Sequence, residues 1–316
     1  MDQETTNAAK PDENKKPSSV VADASTVESQ ILAGRKVFFV MPNISVFPDN
    51  FCEYFLGEGF ECYFMLKDMS MTLQDRIEIF IQYFKDVLFI FNIDATPVSP
   101  DVPWELFIEK LHAAYPDVGI GVMYNKKVVE GQVAEMKSVF NQNIGVNCGY
   151  VEIDFDRNHN YMEAINVLQN CGAKGRRKSV RAVCFASCNV AFEYAGEAFN
   201  EAIDDISLSH FTITLDPQRK IPLDYELIRN MALNIKGFRF KSDAILCLKR
   251  ENSDGGIICV FMFVDERQQQ RLEMDTKANL IPKLYDIKLT NCMNMFDKIV
   301  EEREKRGFLP KIDLPL

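Results

Sequence analysis

Several motifs that mark common enzyme classes are missing from this chain of 316 residues. It has one tryptophan and three histidines, and its nine cysteines never occur as a CxxC pair. There is no HExxH zinc motif, no Gly-rich phosphate loop and no Ser or Cys nucleophile in a recognisable elbow. These absences exclude the usual signatures of zinc proteases, P-loop NTPases and α/β-hydrolases. We predict a protein that is not an enzyme and that holds no metal or cofactor.

Long apolar runs are also missing. No run of about 18 apolar residues is present, and the start Met1-Asp2-Gln3-Glu4 lacks the apolar core of a secretory signal. The cysteines stand singly among apolar residues, which is typical of buried free thiols in a reducing compartment. We therefore expect a cytoplasmic protein that does not insert into a membrane.

The chain has too little positive charge for a broad basic surface. Its net charge is −10 and its pI is near 5.0, which argues against nucleic acid or anionic lipid as a partner and confines any anion site to a local cluster. With 47% apolar residues, the length fits two domains and a tail. Residues 1–33 are polar and poor in large apolar side chains, so we predict a disordered tail there, with one short capped helix possible over 25–32.

Short apolar runs alternate with segments of helical period between residues 34 and 172. The runs span residues 37–41, 62–65, 87–91, 120–124 and 150–153. The helical segments span residues 51–56, 73–84, 104–114, 129–140 and 161–170. Strict alternation with nearly continuous apolar strands predicts a parallel sheet covered on both faces, a flavodoxin-like α/β sandwich.

In size and order this unit resembles a response-regulator receiver domain, but its motifs are degenerate. Asp94 follows the third run, at the phosphorylation position that the resemblance implies. The first run leads into Pro42 and Asn43, where receivers keep acidic residues for magnesium, and Asn125 stands where a hydroxyl residue is usual. Because a hard cation would have too few oxygen ligands, we favour a loop cap at Asp94 over phosphorylation.

After a small linker at residues 172–175, strand-like segments replace the helical period. They span residues 182–192, 199–206, 211–215, 238–248 and 257–264, and Asp254-Gly255-Gly256 indicates a hairpin turn. Closure of such strands removes exposed edges, so we predict a small antiparallel β-barrel within residues 173–316. A helix is predicted over residues 279–305, on the C-terminal side of the barrel.

A basic cluster stands directly before the first of these strands. Five of the eight residues from Lys174 to Arg181 are Lys or Arg, and a later strand ends in Asp205-Ile206-Ser207. An arginine can grip a phosphate or the O6 and N7 edge of guanine with two hydrogen bonds, and it can stack on a purine. A carboxylate can accept hydrogen bonds from the N–H groups on guanine's opposite edge. Taken alone, however, a charge run is usually a solvated face, and Asp-Ile-Ser is usually a turn.

The order of these motifs resembles PilZ domains, the bacterial receptors for cyclic di-GMP. An RRxxxR segment, a strand, a DxS motif at the end of a second strand and the late strand of residues 260–264 occur in that order, over residues 174–305. The resemblance implies a barrel and cyclic di-GMP as ligand. It implies these ligand-binding residues: Arg176, Arg177, Arg181, Asp205, Ser207 and His210.

His210 is the departure from the family, which has glycine there. A side chain can block a close approach of backbone to ligand, and a positive φ at this position would cost on the order of 1 kcal/mol. A structural role for a half-buried His210 stays an alternative to stacking on a base. Binding by this copy could therefore be weakened.

These observations lead to two hypotheses of different kinds. The first is a non-enzymatic bacterial cyclic di-GMP receptor in which the ligand closes the 174–181 loop and reorients the two domains. The resemblance implies an output in motility or surface behaviour, through an unidentified protein partner. The alternative is a ligand-free adaptor in which a degenerate PilZ barrel and a pseudo-receiver serve as docking surfaces.

Overall fold

The structure is a computed structural model. It describes residues 34–40, 42–66, 71–84, 86–96, 102–126, 130–144, 146–185 and 187–306. The predicted tail of residues 1–33, with its capped segment at 25–32, lies outside the described residues. No helix in the described ranges combines the length and apolar character needed to cross a membrane.

A five-stranded parallel sheet forms the N-terminal domain. Its strands are β1 (Lys36–Val40), β2 (Glu61–Met65), β3 (Val87–Asn92), β4 (Gly119–Asn125) and β5 (Gly149–Ile153), in the order β2-β1-β3-β4-β5. This is the flavodoxin-like order, and it confirms the predicted fold class. All six residues of β3 are buried, as expected of an inner strand that is covered on both faces.

Helices cover both faces of this sheet. They are α1 (Phe51–Gly57), α2 (Leu73–Tyr83), α3 (Trp104–Ala114), α4 (Glu130–Ser138) and α5 (Arg157–Asn170). Helices α1 and α5 pack into the core on one face, while α2 and α3 pack into the core on the other. The predicted helical segment at 129–140 is broken, because a π-helical turn, Val139–Ile144, follows α4 directly.

The C-terminal domain is a six-stranded antiparallel barrel. Its strands are β7 (Cys188–Tyr194), β8 (Glu197–Ile206), β9 (His210–Leu215), β10 (Leu227–Ile235), β11 (Phe238–Glu251) and β12 (Ile257–Val264). They follow the order β8-β7-β10-β11-β12-β9, and pairing of β8 with β9 closes the barrel. A two-residue strand, β6 (Ala182–Val183), pairs with the end of β8. The predicted barrel is therefore confirmed.

Two sequence-based strand assignments in the barrel are wrong. The segment at 182–192 is not one strand, because a turn closed by the Cys188 N–H donating to the Phe185 carbonyl (3.2 Å) separates β6 from β7. Strand β10 has no counterpart among the predicted segments. Its pattern is interrupted by a bulge between Ile228 and Met231, where Asn230 has a φ of 55°.

One long helix, α6 (Met274–Arg306), begins five residues before the predicted start and packs on both domains. Its residues Leu280 and Leu284 lie in the barrel core. Further along, Cys292 and Phe296 pack into the core beneath α2 and α3, and the ring of Phe296 lies 5.1 Å from that of Phe80. The two domains thus share one helix.

Candidate nucleotide-binding site

The basic segment of residues 174–181 joins the N-terminal domain to the barrel and is fixed at both ends. At its start, Lys174 Nζ donates to the Glu58 carbonyl (2.7 Å), and the Lys174 backbone forms a β-bridge with Gly34. At its other end Val180 is buried and Arg181 directly precedes β6. The loop therefore contacts one domain at each end.

Strand pairing places Arg181 beside Asp205. In the ladders, Asp205 lies opposite Val183 of β6 and opposite Thr212 of β9. Arg181 Nη1 stands 3.5 Å from Asp205 Oδ1, and both side chains are half-buried. That carboxylate oxygen is inaccessible to solvent and accepts no hydrogen bond in the described structure. A carboxylate with unused acceptor capacity is unusual in a folded protein and is typical of binding sites.

Arg177 and His210 complete a group that we call the loop cluster: Arg177, Arg181, Asp205 and His210. Burial lowers the pKa of Arg177, and the charge of Arg181 lowers it further, while Asp205 opposes this. Burial also lowers the pKa of His210, with the same two charges acting on it. The charges of Arg181 and Asp205 act on both Arg177 and His210, and the cluster contains two guanidinium groups and a single carboxylate. The loop cluster therefore carries excess positive charge.

Ser207 lies outside the strand and shapes the turn that leads to His210. Strand β8 ends at Ile206, so Ser207 is not part of the strand that contains Asp205. Ser207 is 2% exposed, and its Oγ accepts from the backbone N–H groups of Ser209 (3.3 Å) and His210 (3.1 Å). The hydroxyl is used within the turn and positions His210.

His210 adopts the extended backbone of β9, as its first residue. The conformational cost that a positive φ would impose does not arise, since His210 is not among the residues with positive φ. Its Nδ1 lies 2.9 Å from Ser209 Oγ. Any effect of the missing glycine therefore comes from the volume of the imidazole ring.

The remaining predicted residue, Arg176, is exposed and makes no described contact with the loop cluster.

One residue that sequence reasoning missed is Thr212, which is 5% exposed and whose Oγ1 has no hydrogen-bond partner in the described structure. Thr212 is two residues beyond His210 and so lies on the same outer face of β9, while Phe211 points into the core. The alternation of faces along this strand was the only feature of the sequence that could have pointed to Thr212.

The carboxyl edge of the parallel sheet was the other position of interest. Asp94 Oδ2 accepts from the Asn125 backbone N–H (2.6 Å), which ties the end of β3 to the end of β4. This bond supports the interpretation of Asp94 as a loop cap. A cleft of about 830 Å³ lies beside it, lined by Asn43, Lys126 and Arg157 among others. The described residues contain no group of three or more His, Cys, Asp or Glu side chains placed to hold a metal ion.

No family model matches the chain, and no curated protein matches it. Solved structures do. The inhibitor of motility MotI/DgrA of Bacillus subtilis matches 36% of this chain and 52% of its own, at 12% identity and a TM-score of 0.30. The PilZ domain of YcgR from Escherichia coli, determined with c-di-GMP, matches 42% of this chain and 99% of its own, at 14% identity and a TM-score of 0.29.

A third structure, FixJ-N, matches 43% of this chain and 92% of its own, at 11% identity and a TM-score of 0.30. This chain spans about half the length of the MotI chain that it matches. FixJ-N and the PilZ domain of YcgR are thus among the solved structures to which this chain is similar.

Proposed function

We propose that this chain is a non-enzymatic receptor for cyclic di-GMP, and that the ligand binds at the loop cluster on the outer face of β8 and β9. The observation that carries the proposal is the loose pairing of Arg181 with Asp205, at 3.5 Å, next to a second guanidinium from Arg177. Within the described part of the chain, the only ion pair of these two guanidinium groups is the 3.5 Å contact of Arg181. An anionic ligand would supply the charge that the loop cluster lacks.

The chemistry of the ligand fits these groups one by one. Cyclic di-GMP has two phosphodiester charges and two guanines, and arginine is suited to both, since its planar fork binds phosphate or the guanine O6 and N7 edge. The Asp205 carboxylate suits the N–H groups on guanine's other edge, provided that Arg181 moves and uncovers the buried Oδ1. The exposed Arg176, in the same loop, can reach a phosphate or stack on a base once the ligand is present.

The position of the loop suggests how binding could be transmitted. Lys174 is held to Glu58 of the N-terminal domain, and Arg181 lies against the barrel. A ligand that draws Arg177 and Arg181 to the barrel pulls on a segment attached to both domains. We therefore propose that binding shifts the relative orientation of the domains, in favour of a state that an unidentified protein partner recognises.

Calorimetry of the full chain tests the binding step. We expect heat on titration with cyclic di-GMP for the wild type, and at least tenfold weaker binding for Arg177→Ala and Asp205→Ala, because each removes a charged hydrogen-bonding group worth about 1.5–3 kcal/mol. Arg229→Ala is the matched control, since Arg229 is exposed and distant from these motifs in sequence. Absence of heat at tens of micromolar ligand would contradict the receptor, and equal affinity in all variants would contradict the site.

Small-angle X-ray scattering with and without ligand tests the reorientation separately. A change in the scattering profile that appears in the wild type but not in Arg177→Ala supports it. Binding by calorimetry with an unchanged profile would retain the receptor and reject the domain movement.

An adaptor that binds no ligand is the second candidate, and one observation favours it. Val183 and Phe185, beside the loop cluster, are 54% and 61% exposed, which is high for large apolar side chains next to a strand. In an adaptor, the imidazole of His210 fills the space that the nucleotide would need, and Val183 and Phe185 contact a partner protein. The calorimetric titration separates the two candidates, because an adaptor gives no heat with cyclic di-GMP.

A further inference from the structure

Two threonines on the outer face of β9 stand beside two aspartates of β8, and only one of these two pairs is hydrogen-bonded. A bulge between Ile203 and Asp205 adds one residue, Asp204, to β8 at this point. Thr214 Oγ1 donates to Asp204 Oδ2 at 2.7 Å. Thr212 lies directly opposite Asp205 in the ladder, yet no hydrogen bond joins their side chains in the described structure.

The unbonded pair is buried. Thr212 is 5% exposed and its Oγ1 has no hydrogen-bond partner in the described structure, and the same holds for the inaccessible Oδ1 of Asp205. On its other side Thr212 lies opposite Val260 of β12, whose side chain offers no hydrogen bond. Residues opposite each other in an antiparallel ladder have Cβ atoms about 5 Å apart. Two buried and unpaired polar atoms therefore occupy neighbouring positions beneath Arg181.

The chemistry of this pair selects a ligand group with several N–H bonds. An ionised carboxylate only accepts hydrogen bonds, and a threonine hydroxyl accepts as well as donates. Guanine carries N1–H and a 2-amino group side by side on one edge, whereas adenine has a bare N1 and no 2-amino group. Because an amino group has two N–H bonds, it can donate to a carboxylate and to a hydroxyl at the same time.

We propose that Thr212 determines the base specificity of the loop cluster by accepting, together with Asp205, hydrogen bonds from the 2-amino group of a guanine. This inference rests on the proposed receptor function. Arg181, whose Nη1 is 3.5 Å from Asp205 Oδ1, moves aside when the base enters. The carboxylate then accepts from N1–H and from one N–H of the amino group, and Thr212 Oγ1 accepts from the other.

A purine that lacks the 2-amino group would leave the Thr212 hydroxyl unpaired in the complex. Sites built around buried hydrogen-bonding groups reject analogues that cannot bond to them, because those groups then stay desolvated without a partner. Cyclic di-IMP, in which hypoxanthine replaces guanine, differs from cyclic di-GMP only in the loss of the two 2-amino groups. We therefore expect the wild type to bind cyclic di-GMP at least about tenfold more tightly.

Calorimetry of the full chain with both nucleotides tests the role of the hydroxyl. Thr212→Val replaces it by a methyl group of similar size. The affinity for cyclic di-GMP should fall about tenfold, while that for cyclic di-IMP should change by less than about twofold, so the preference for guanine shrinks. Thr212→Ser keeps a hydroxyl and should keep the preference. An equal loss for both nucleotides, or no loss, would overturn the proposal.

Thr214→Val is the matched control. It makes the same substitution on the same face of β9, but the hydroxyl of Thr214 is already bonded to Asp204. Both affinities should stay at the wild-type values. A loss of guanine preference in Thr214→Val as large as in Thr212→Val would show that the effect is not specific to the unpaired hydroxyl, and would overturn the assignment.

Thermal unfolding without ligand separates a binding role of Thr212 from a structural one. Since Thr212→Val removes a buried hydroxyl that has no partner in the described structure, the unfolding midpoint should stay equal or rise. A lower midpoint together with an unchanged preference for guanine would show that the hydroxyl stabilises the fold, and would reject the proposal.

The outcomes for the receptor and for this specificity residue are distinguishable. No heat with the wild type and cyclic di-GMP would contradict the receptor, and the role of Thr212 would fall with it. Heat with the wild type and the same guanine preference in Thr212→Val would retain the receptor and reject the role of Thr212 alone.

Discussion

Two charged clusters in this molecule each combine two basic side chains with one carboxylate but differ in how fully these charges are paired. In the loop cluster, Arg181 Nη1 lies 3.5 Å from Asp205 Oδ1, that oxygen accepts no hydrogen bond in the described structure, and the charges of both residues act on Arg177. In the second, which we call the interface cluster, Lys36 and Lys288 both bind Glu61, at 2.6 Å and 2.8 Å. Tyr63 donates a third hydrogen bond to Glu61, at 2.7 Å.

The interface cluster joins the two domains through a buried charge. Lys36 and Glu61 come from the parallel sheet and Lys288 from α6, and Glu61 is 7% exposed. Burial opposes ionisation of Glu61, but the charges of Lys288 and Lys36 outweigh it and lower its pKa to about 2. Burial lowers the pKa of Lys288 even though Glu61 opposes this. Both pKa values are lowered, which favours the charged form of Glu61 but disfavours that of Lys288, so desolvation consumes much of what the attraction gains.

The comparison separates two uses of charge. A fully paired, desolvated cluster fixes the position of the elements that carry it and leaves no capacity for a ligand. A loosely paired cluster at a surface contributes little to stability and keeps its donors and acceptors available. Substitutions in the interface cluster should therefore change stability, and those in the loop cluster should change binding.

The largest effect is expected for Glu61→Gln. Removing this buried carboxylate leaves the ammonium groups of Lys36 and Lys288, whose side chains are 25% and 14% exposed, facing a neutral amide, and breaking a buried ion pair in this way costs about 3–5 kcal/mol. Urea unfolding of the full chain measures it. Glu197→Gln is the matched control, because Glu197 is 38% exposed and its ion pairs are 3.9 Å long, so a change below about 1 kcal/mol is expected. Equal stability of Glu61→Gln and the wild type would contradict the idea that the interface cluster stabilises the fold more than the loop cluster does.

The second-largest effect is expected from acid, which should reduce the stability contributed by the interface cluster. The pKa of Glu61 is about 2 in the folded state and 4.5 for an unperturbed glutamate, so its stabilisation is present above about pH 4.5 and is lost as the pH falls toward 2. The loss over this range is on the order of 3 kcal/mol. Unfolding free energies of the wild type and Glu61→Gln, measured across pH 5 to 2.5, should converge. Parallel curves would contradict this role for Glu61.

Arg181→Ala should show the opposite pattern. It removes a loose, half-exposed ion pair, so the free energy of unfolding should fall by only about 0.2–1 kcal/mol. The affinity for cyclic di-GMP should fall about tenfold to a hundredfold, as for a lost charged hydrogen bond. Thermal unfolding and calorimetry on the same preparation give both values. A large loss of stability with unchanged affinity would show that Arg181 stabilises the fold and does not bind the ligand.

The smallest effect is expected at His210. If the imidazole occupies ligand space, His210→Gly should tighten binding of cyclic di-GMP by up to about tenfold. Because His210 lies in extended backbone, His210→Ala should have the same effect, since only ring volume is at issue. A gain with glycine alone would show that backbone freedom matters. A loss of affinity in both variants would show that the ring contacts the ligand.

Much of the fold could be predicted from the sequence, because alternating apolar runs and helical segments determine a parallel sheet almost by themselves. Strand β10 was missed because Arg229 and Asn230 interrupt the alternation of apolar and polar residues in its sequence. They lie at a bulge in the pairing with β11, which the sequence alone does not reveal. The split between β6 and β7 was missed for a similar reason. Its intervening turn contains Cys184 and Phe185, which continue the apolar run without a break.

All four members of the loop cluster are among the residues predicted to bind ligand, whereas the interface cluster was not predicted. Arg177, Arg181 and Asp205 belong to motifs that are compact in sequence. Lys36, Glu61 and Lys288 are far apart in the chain, and each looks like an ordinary surface charge at the edge of an element. Tertiary packing alone makes them partners. Sequence spacing contains no signal for such a cluster.

The shared helix α6 determines what counts as a folding unit in this protein. Cutting the chain between residues 172 and 173 would separate two recognisable topologies, yet it would strip Cys292 and Phe296 from the core under α2 and α3 and deprive Glu61 of Lys288. The severed N-terminal piece would expose an apolar face and an under-neutralised carboxylate. Expressed alone, it would be prone to aggregation, and the intact chain should unfold in a single cooperative transition.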